Sequence, residues 1–176
     1  MDRVNDVIAQ RQDPAGGGET GVVIMFPGQG SQSLGMAGQL LRIHTGARAR
    51  FRTASEILGY DLLSVIEDGP SERLDDTWHS QPAVFTASMA WYDALRAKWE
   101  EVGRNLQPLA ISGHSLGQIT AFAAANALEF EQALQLVGER ARLMREAAQR
   151  RPGGMASIIG LRDYFKRDDS CCRNIK

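Results

Sequence analysis

Apolar and polar positions along this chain switch between two periods. Val22-Val-Ile-Met-Phe26 is continuously apolar and is stopped by Pro27 and Gly28, which predicts a short buried strand. Helical spacing follows over residues 34–43 and again over 47–58. Gly59 and the Asp68-Gly-Pro70 turn then punctuate the chain. A longer helix is expected from about Ser80, an N-cap residue type, with Pro82 in its first turn. It carries Val84, Phe85, Trp91, Tyr92, Leu95 and Trp99 at mostly helical spacing, which reads as core packing. Leu109-Ala-Ile111 predicts a second buried strand, and helices follow over 116–126 and 130–149. Met155 to Ile159 predicts a third strand after the Pro152-Gly-Gly154 break.

Strands alternating with helices predict an α/β fold built on a parallel sheet. Three strands make an incomplete sheet for such a fold. Residues 1–20 are polar, contain Pro14 and three consecutive glycines from Gly16, and read as a flexible leader. Residues 163–176 carry neither period and read as an irregular tail. The domain proper is expected over 21–162.

Composition narrows the function classes. The chain has 176 residues, the length of one domain or a large part of one. Its formal charge is −1 with the two signs mixed, so nothing asks for nucleic acid or an acidic membrane as partner. Apolar residues make up 43% of the chain, but in runs too interrupted for a membrane span. The N-terminus lacks the apolar core of a secretory signal, and Asp2, Asp6 and Asp13 do not suit a transit peptide. Cys171 and Cys172 stand side by side, which is neither a disulfide framework nor a spaced metal site. Two reduced thiols in a cytoplasmic protein without a bound metal are expected.

Three features carry candidate chemistry. Gly113-His-Ser-Leu-Gly117 fits G-x-S-x-G between a strand and a helix, where a strained turn exposes a serine hydroxyl and the helix start supplies free N–H groups. Ser115 is then a nucleophile, or else a serine that caps the following helix. His114 is adjacent to it, and neighbouring side chains on such a turn diverge, so a packing or hydrogen-bonding role beside the turn is expected. The loop Phe26-Pro-Gly-Gln-Gly-Ser-Gln-Ser-Leu-Gly35 fails both phosphate-binding patterns, because Ser33 replaces the third glycine and Met36 follows Gly35. It is an ordinary turn, or a backbone segment that approaches Ser115 closely. On the last helix Ala133, Leu134, Leu136, Val137, Ala141, Leu143 and Met144 share one half of the wheel, and Arg140 points from the middle of that half. A guanidinium there needs an anion, either a structural carboxylate or a carboxylate of substrate.

Taken together, "FPGQGSQSLGM" (26–36), "GYDLL" (59–63), "QPAVFTAS" (81–88), "GHSLG" (113–117) and "RARLMREA" (140–147) resemble the malonyl-CoA:acyl-carrier-protein transacylase family. The resemblance runs over about residues 22–161 and implies an incomplete, α/β-hydrolase-like parallel sheet flanked by helices. It implies that Ser115 takes a malonyl group from coenzyme A as an ester and passes it to acyl carrier protein, in fatty-acid or polyketide synthesis. It further implies that the N–H groups of Gln29 and Leu116 form the oxyanion hole, that Arg140 pairs with the malonyl carboxylate, and that Gln81 supports the site. Coenzyme A enters as a thioester substrate, and no cofactor is expected. Gln118 stands where the family often has Glu. The family continues into a ferredoxin-like subdomain and a later histidine base that this sequence lacks; His44 and His79 match no catalytic position. The chain is therefore expected to be an N-terminal portion of a transacylase that ends near Arg162. Two alternatives remain: an esterase using the same serine with water, and an inactive fragment that at most binds carrier protein.

Overall fold

The computed structural model describes residues 21–150. The expected leader, the third strand at 155–159, the tail and both cysteines lie outside these residues. Along the chain run β1 (Val23–Phe26), α1 (Gly38–Ile43), α2 (Ala47–Leu58), α3 (Leu62–Glu67), α4 (Ser71–Asp75), α5 (Thr77–Glu101), β2 (Ala110–Gly113), α6 (Leu116–Ala124) and α7 (Phe130–Arg150). Among the described residues the sheet has two strands, paired in parallel with Val23 opposite Ala110 and Phe26 opposite Gly113. The α/β class and the parallel sheet thus agree with the reading of the sequence.

The core lies between the helices and one side of this pair of strands. Phe51, Phe85, Leu40, Leu62, Ile66, Leu74, Leu116 and Leu134 are fully buried. Phe26 of β1 meets the edge of Tyr92 on α5, with ring centroids 5.8 Å apart. Phe85 stacks on Phe130, tying α5 to the start of α7. Arg50 caps that stack over the Phe130 ring and donates to Asp93 through Nε and Nη2. These contacts fix α5 and α7 side by side, and the candidate site is built where the two helices meet.

Four expectations need correction. The strands are not buried on both faces: Val23 is 53% exposed, Met25 77% and Leu109 70%. A parallel strand is buried on both faces only where layers cover both, and the described helices leave these side chains open. The long helix starts at Thr77, not near Ser80. Asp76 caps it, accepting a hydrogen bond from the Trp78 N–H at 2.8 Å, and is held there by Arg145 of α7 at 3.2 Å. Ser80 is consequently a buried residue inside the helix, and Pro82 stands beyond the first turn. The helix expected over 34–43 is shortened to α1, with turns over its first residues. Trp91 is 38% exposed rather than core and lines a cleft of about 180 Å³ with Pro27, Ser31, Met36 and Val84.

Candidate active site

The site begins with the turn between β2 and α6. Ser115 has φ 52° and ψ −107°, a left-handed conformation that a residue with a side chain adopts only under strain. The flanking glycines are dictated by space. A Cβ on Gly113 would lie 2.0 Å from the Gly117 carbonyl oxygen, and one on Gly117 would lie 2.3 Å from that of Phe26. The turn is therefore wedged against the end of β1, and the serine is pushed outward. Ser115 is exposed, and its side chain makes no capping bond to α6. The helix-cap reading of this serine is excluded by that geometry.

The glycine loop after β1 comes close to the same turn. A Cβ on Gly28 would meet the His114 carbonyl oxygen at 2.9 Å and its Nδ1 at 3.0 Å. Side chains fasten the loop to the junction of α4 and α5: Gln29 Nε2 donates to Thr77 Oγ1 at 3.0 Å, and Gln32 Nε2 donates to Asp75 Oδ1, the last residue of α4, at 2.9 Å. Among the described residues, the backbone N–H groups of Gln29 and Leu116 have no hydrogen-bond acceptor. Two unpaired backbone donors flanking a serine turn are the raw material of an oxyanion hole. His114 is exposed beside the loop and makes no hydrogen bond to Ser115.

α5 and α7 supply the remaining groups. Arg140 Nη2 donates to Ser115 Oγ at 2.8 Å, and Arg140 Nη1 donates to Gln81 Oε1. Gln81 is fully buried. Its other end, Nε2, donates to the sulfur of Met144 at 3.3 Å. Among the described residues no carboxylate lies within ion-pairing distance, 4.0 Å, of Arg140. The structural ion pair that the helical wheel left open is therefore absent there. Among the described residues Arg140 faces neutral partners only, and these leave its charge available to an anion.

Behind this cluster, Asp76, His79 and Tyr60 join the start of α5 to its neighbours. The His79 ring meets Tyr60 edge-on, with centroids 5.1 Å apart, and His79 Nδ1 and Tyr60 Oη are buried without partners among the described residues. Burial first, then the Arg73 charge, holds His79 below its ordinary pKa, and burial pushes Tyr60 up. His44 belongs to the C-terminal cap of α1 and makes no hydrogen bond to Ser115. Gln118 is exposed on the first turn of α6. The structure thus brings Ser115, Arg140 and Gln81 together. Thr77 and Met144 carry no sequence signal as site residues: Met144 falls among the apolar positions of its helix, although it lies one turn beyond Arg140.

Comparison with known proteins bears on this arrangement. A family described as the acyl transferase domain matches residues 23–170. A malonyl CoA-acyl carrier protein transacylase of Haemophilus influenzae is 41% identical over 138 residues, 78% of this chain and 43% of that protein. Its counterpart in Escherichia coli strain K12 is 40% identical over 144 residues, 82% of this chain and 45% of that protein. Among solved structures, the malonyl CoA-acyl carrier protein transacylase of Coxiella burnetii is similar at TM-score 0.64 and 42% identity, over 72% of this chain and 39% of that one. A malonyl-transacylase solved in complex with its type II PKS acyl-carrier protein is similar at TM-score 0.64 and 40% identity, over 73% of this chain and 40% of that one. The chain spans less than half the length of the curated relatives it matches.

Proposed function

The chain belongs to the acyl transferase domain family, and we propose that it carries the nucleophile and the carboxylate-reading side of a site that moves a malonyl group from coenzyme A to acyl carrier protein. The observation that carries this reading is the Ser115–Arg140 pair, a guanidinium with neutral partners placed 2.8 Å from an exposed serine hydroxyl. Such a pair suits an acyl group that ends in a carboxylate, because guanidinium grips that group with two parallel hydrogen bonds.

In this reading Ser115 Oγ attacks the thioester carbonyl and gives up its proton to solvent water or an added base. The C–S bond breaks, and coenzyme A leaves as a thiol once it regains a proton. The N–H groups of Gln29 and Leu116 receive the negative charge that develops on the carbonyl oxygen. Arg140 holds the far carboxylate, which keeps the thioester carbon over the serine. The same steps in reverse pass the acyl group to the phosphopantetheine thiol of the carrier. All three histidines of the sequence are among the described residues, and none hydrogen bonds to Ser115 Oγ. We therefore assign the serine's proton to none of them.

We read the strand–serine–helix turn as the nucleophile elbow of a hydrolase-like sheet. No helix of the described residues is long and apolar enough to cross a membrane, and we place the reaction in the cytoplasm. The test supplies malonyl-CoA and holo acyl carrier protein to the chain. Malonyl on the carrier thiol is expected; free malonate in its place is the outcome an esterase gives.

A further inference from the structure

We infer that Met144 is a positioning residue for acyl selection, acting through Gln81 on Arg140. Three contacts carry this. Arg140 and Met144 lie four residues apart on α7, so they stand one above the other on the same side of the helix. The fully buried amide of Gln81, reaching across from α5, spans both. Its Oε1 accepts from Arg140 Nη1, and its Nε2 donates to Met144 Sδ at 3.3 Å.

An amide has an acceptor end and a donor end of nearly the same shape. Which end faces Arg140 decides whether the guanidinium is held or repelled. In the observed orientation the oxygen faces the N–H donors of Arg140. In the flipped orientation NH₂ would face N–H, and Gln81 could not hold the guanidinium. The thioether sulfur of Met144 is a weak acceptor. It is the partner the structure gives the NH₂ end, so it selects the orientation that leaves the oxygen for Arg140. With Nη1 held in this way, Nη2 is aimed at Ser115, at 2.8 Å. The partner is also neutral, so it orients the guanidinium without cancelling the charge that an incoming carboxylate needs. A glutamate in place of Gln81 would take that charge for itself.

The inference rests on the proposed reading that Arg140 receives the substrate carboxylate, and the experiment separates the two. Equilibrium binding of malonyl-CoA and acetyl-CoA is measured in a Ser115→Ala background, so that no acyl group is transferred, and the ratio of the two Kd values is taken. Met144→Leu keeps the apolar bulk and removes the acceptor. Met144→Gln keeps a side chain of similar length and restores an acceptor. The preference for malonyl is expected to fall at least threefold in Met144→Leu, within what one net hydrogen bond is worth, and to remain within twofold of the parent in Met144→Gln. A pure packing role gives the opposite order, because leucine is the better apolar substitute. A fall of less than threefold in Met144→Leu overturns the inference, and so does a smaller fall there than in Met144→Gln. Arg140→Ala in the same background is the control: if it leaves the ratio unchanged, the reading of Arg140 itself fails.

Discussion

Arg140 donates to Ser115 across 25 residues of sequence, from the middle of α7 to the head of α6, at 2.8 Å. Neither residue has a carboxylate within hydrogen-bonding distance among the described residues. The serine is thus met by a positive charge that the described residues do not neutralise. Under the proposed reading, that relationship would give selectivity for a charged acyl group.

Arg140→Ala is expected to lose acylation by malonyl-CoA and to keep, or gain, acylation by acetyl-CoA. Truncating one partner of a charge-assisted pair typically costs about 2–5 kcal/mol when the pair is buried, as it would be here once the acyl chain covers the guanidinium. That corresponds to roughly 30-fold to several-thousand-fold in kcat/KM. Arg140→Lys should recover only part of the loss, since a point charge replaces a planar fork. Coenzyme A release from the two thioesters, followed side by side, measures both. Equal losses for malonyl and acetyl would mark Arg140 as structural.

Gly117→Ala tests whether the turn is as tightly wedged as the structure requires. The added methyl would sit 2.3 Å from the Phe26 carbonyl oxygen and 2.8 Å from that of Pro27. Overpacking of this kind costs about 1–3 kcal/mol, sometimes more, and here it also displaces the serine. A lower thermal midpoint and loss of Ser115 acylation are expected. Gly138→Ala is the contrast: the nearest atom to its added methyl would be 3.7 Å away, inside a helix. It should raise stability by up to about 1 kcal/mol, the helix preference of alanine over glycine. If the two variants behave alike, steric crowding at the turn is not what places Ser115.

None of the histidines is expected to serve as the base for Ser115. His114→Asn and His44→Asn should each leave the acylation rate within about threefold of the parent. A positioned base typically contributes 10²–10⁴-fold, on the order of the effect expected if either were the base. The parent chain should accordingly acylate slowly and be accelerated by added imidazole. A hundredfold loss in His114→Asn would make His114 the base and overturn this assignment.

His79 gives a pH dependence of stability. Its folded pKa lies below the ordinary 6.5, from burial first and then from the Arg73 charge, with Asp76 opposing and Arg145 adding to the shift. The unfolded chain therefore takes up this proton at a higher pH than the folded one. The stability from neutral His79 is complete above about pH 6.5 and is lost as pH falls from there toward the folded value. The thermal midpoint should drop between about pH 7 and pH 5, and the drop should be smaller in His79→Phe, which keeps the ring against Tyr60. An identical drop in the variant would assign it to other groups.

What was legible in the sequence depended on whether one residue's geometry was enough to decide. The serine turn was legible because G-x-S-x-G states a steric requirement, and Gly113 and Gly117 meet it against named carbonyls. Arg140 stood out because a charge interrupts an apolar half-wheel, and the structure leaves that charge facing neutral groups. The start of α5 was misread because Asp76 and Ser80 are both good caps; Arg145, 69 residues further on in the chain, helps fix which is used. The helices α3 and α4, at 6 and 5 residues, are too short to show a period, and the sequence signalled them only as punctuation between turns. Met144 was unreadable as anything but apolar, since its role as an acceptor exists only once Gln81 lies across from it.

The most direct test of the account is to locate the acyl group. The chain is incubated with excess malonyl-CoA, digested, and its peptides mapped by mass spectrometry beside those of Ser115→Ala. One ester is expected, on Ser115, labile to hydroxylamine and absent from the variant. A malonyl adduct on any other residue, or one undiminished in Ser115→Ala, contradicts it.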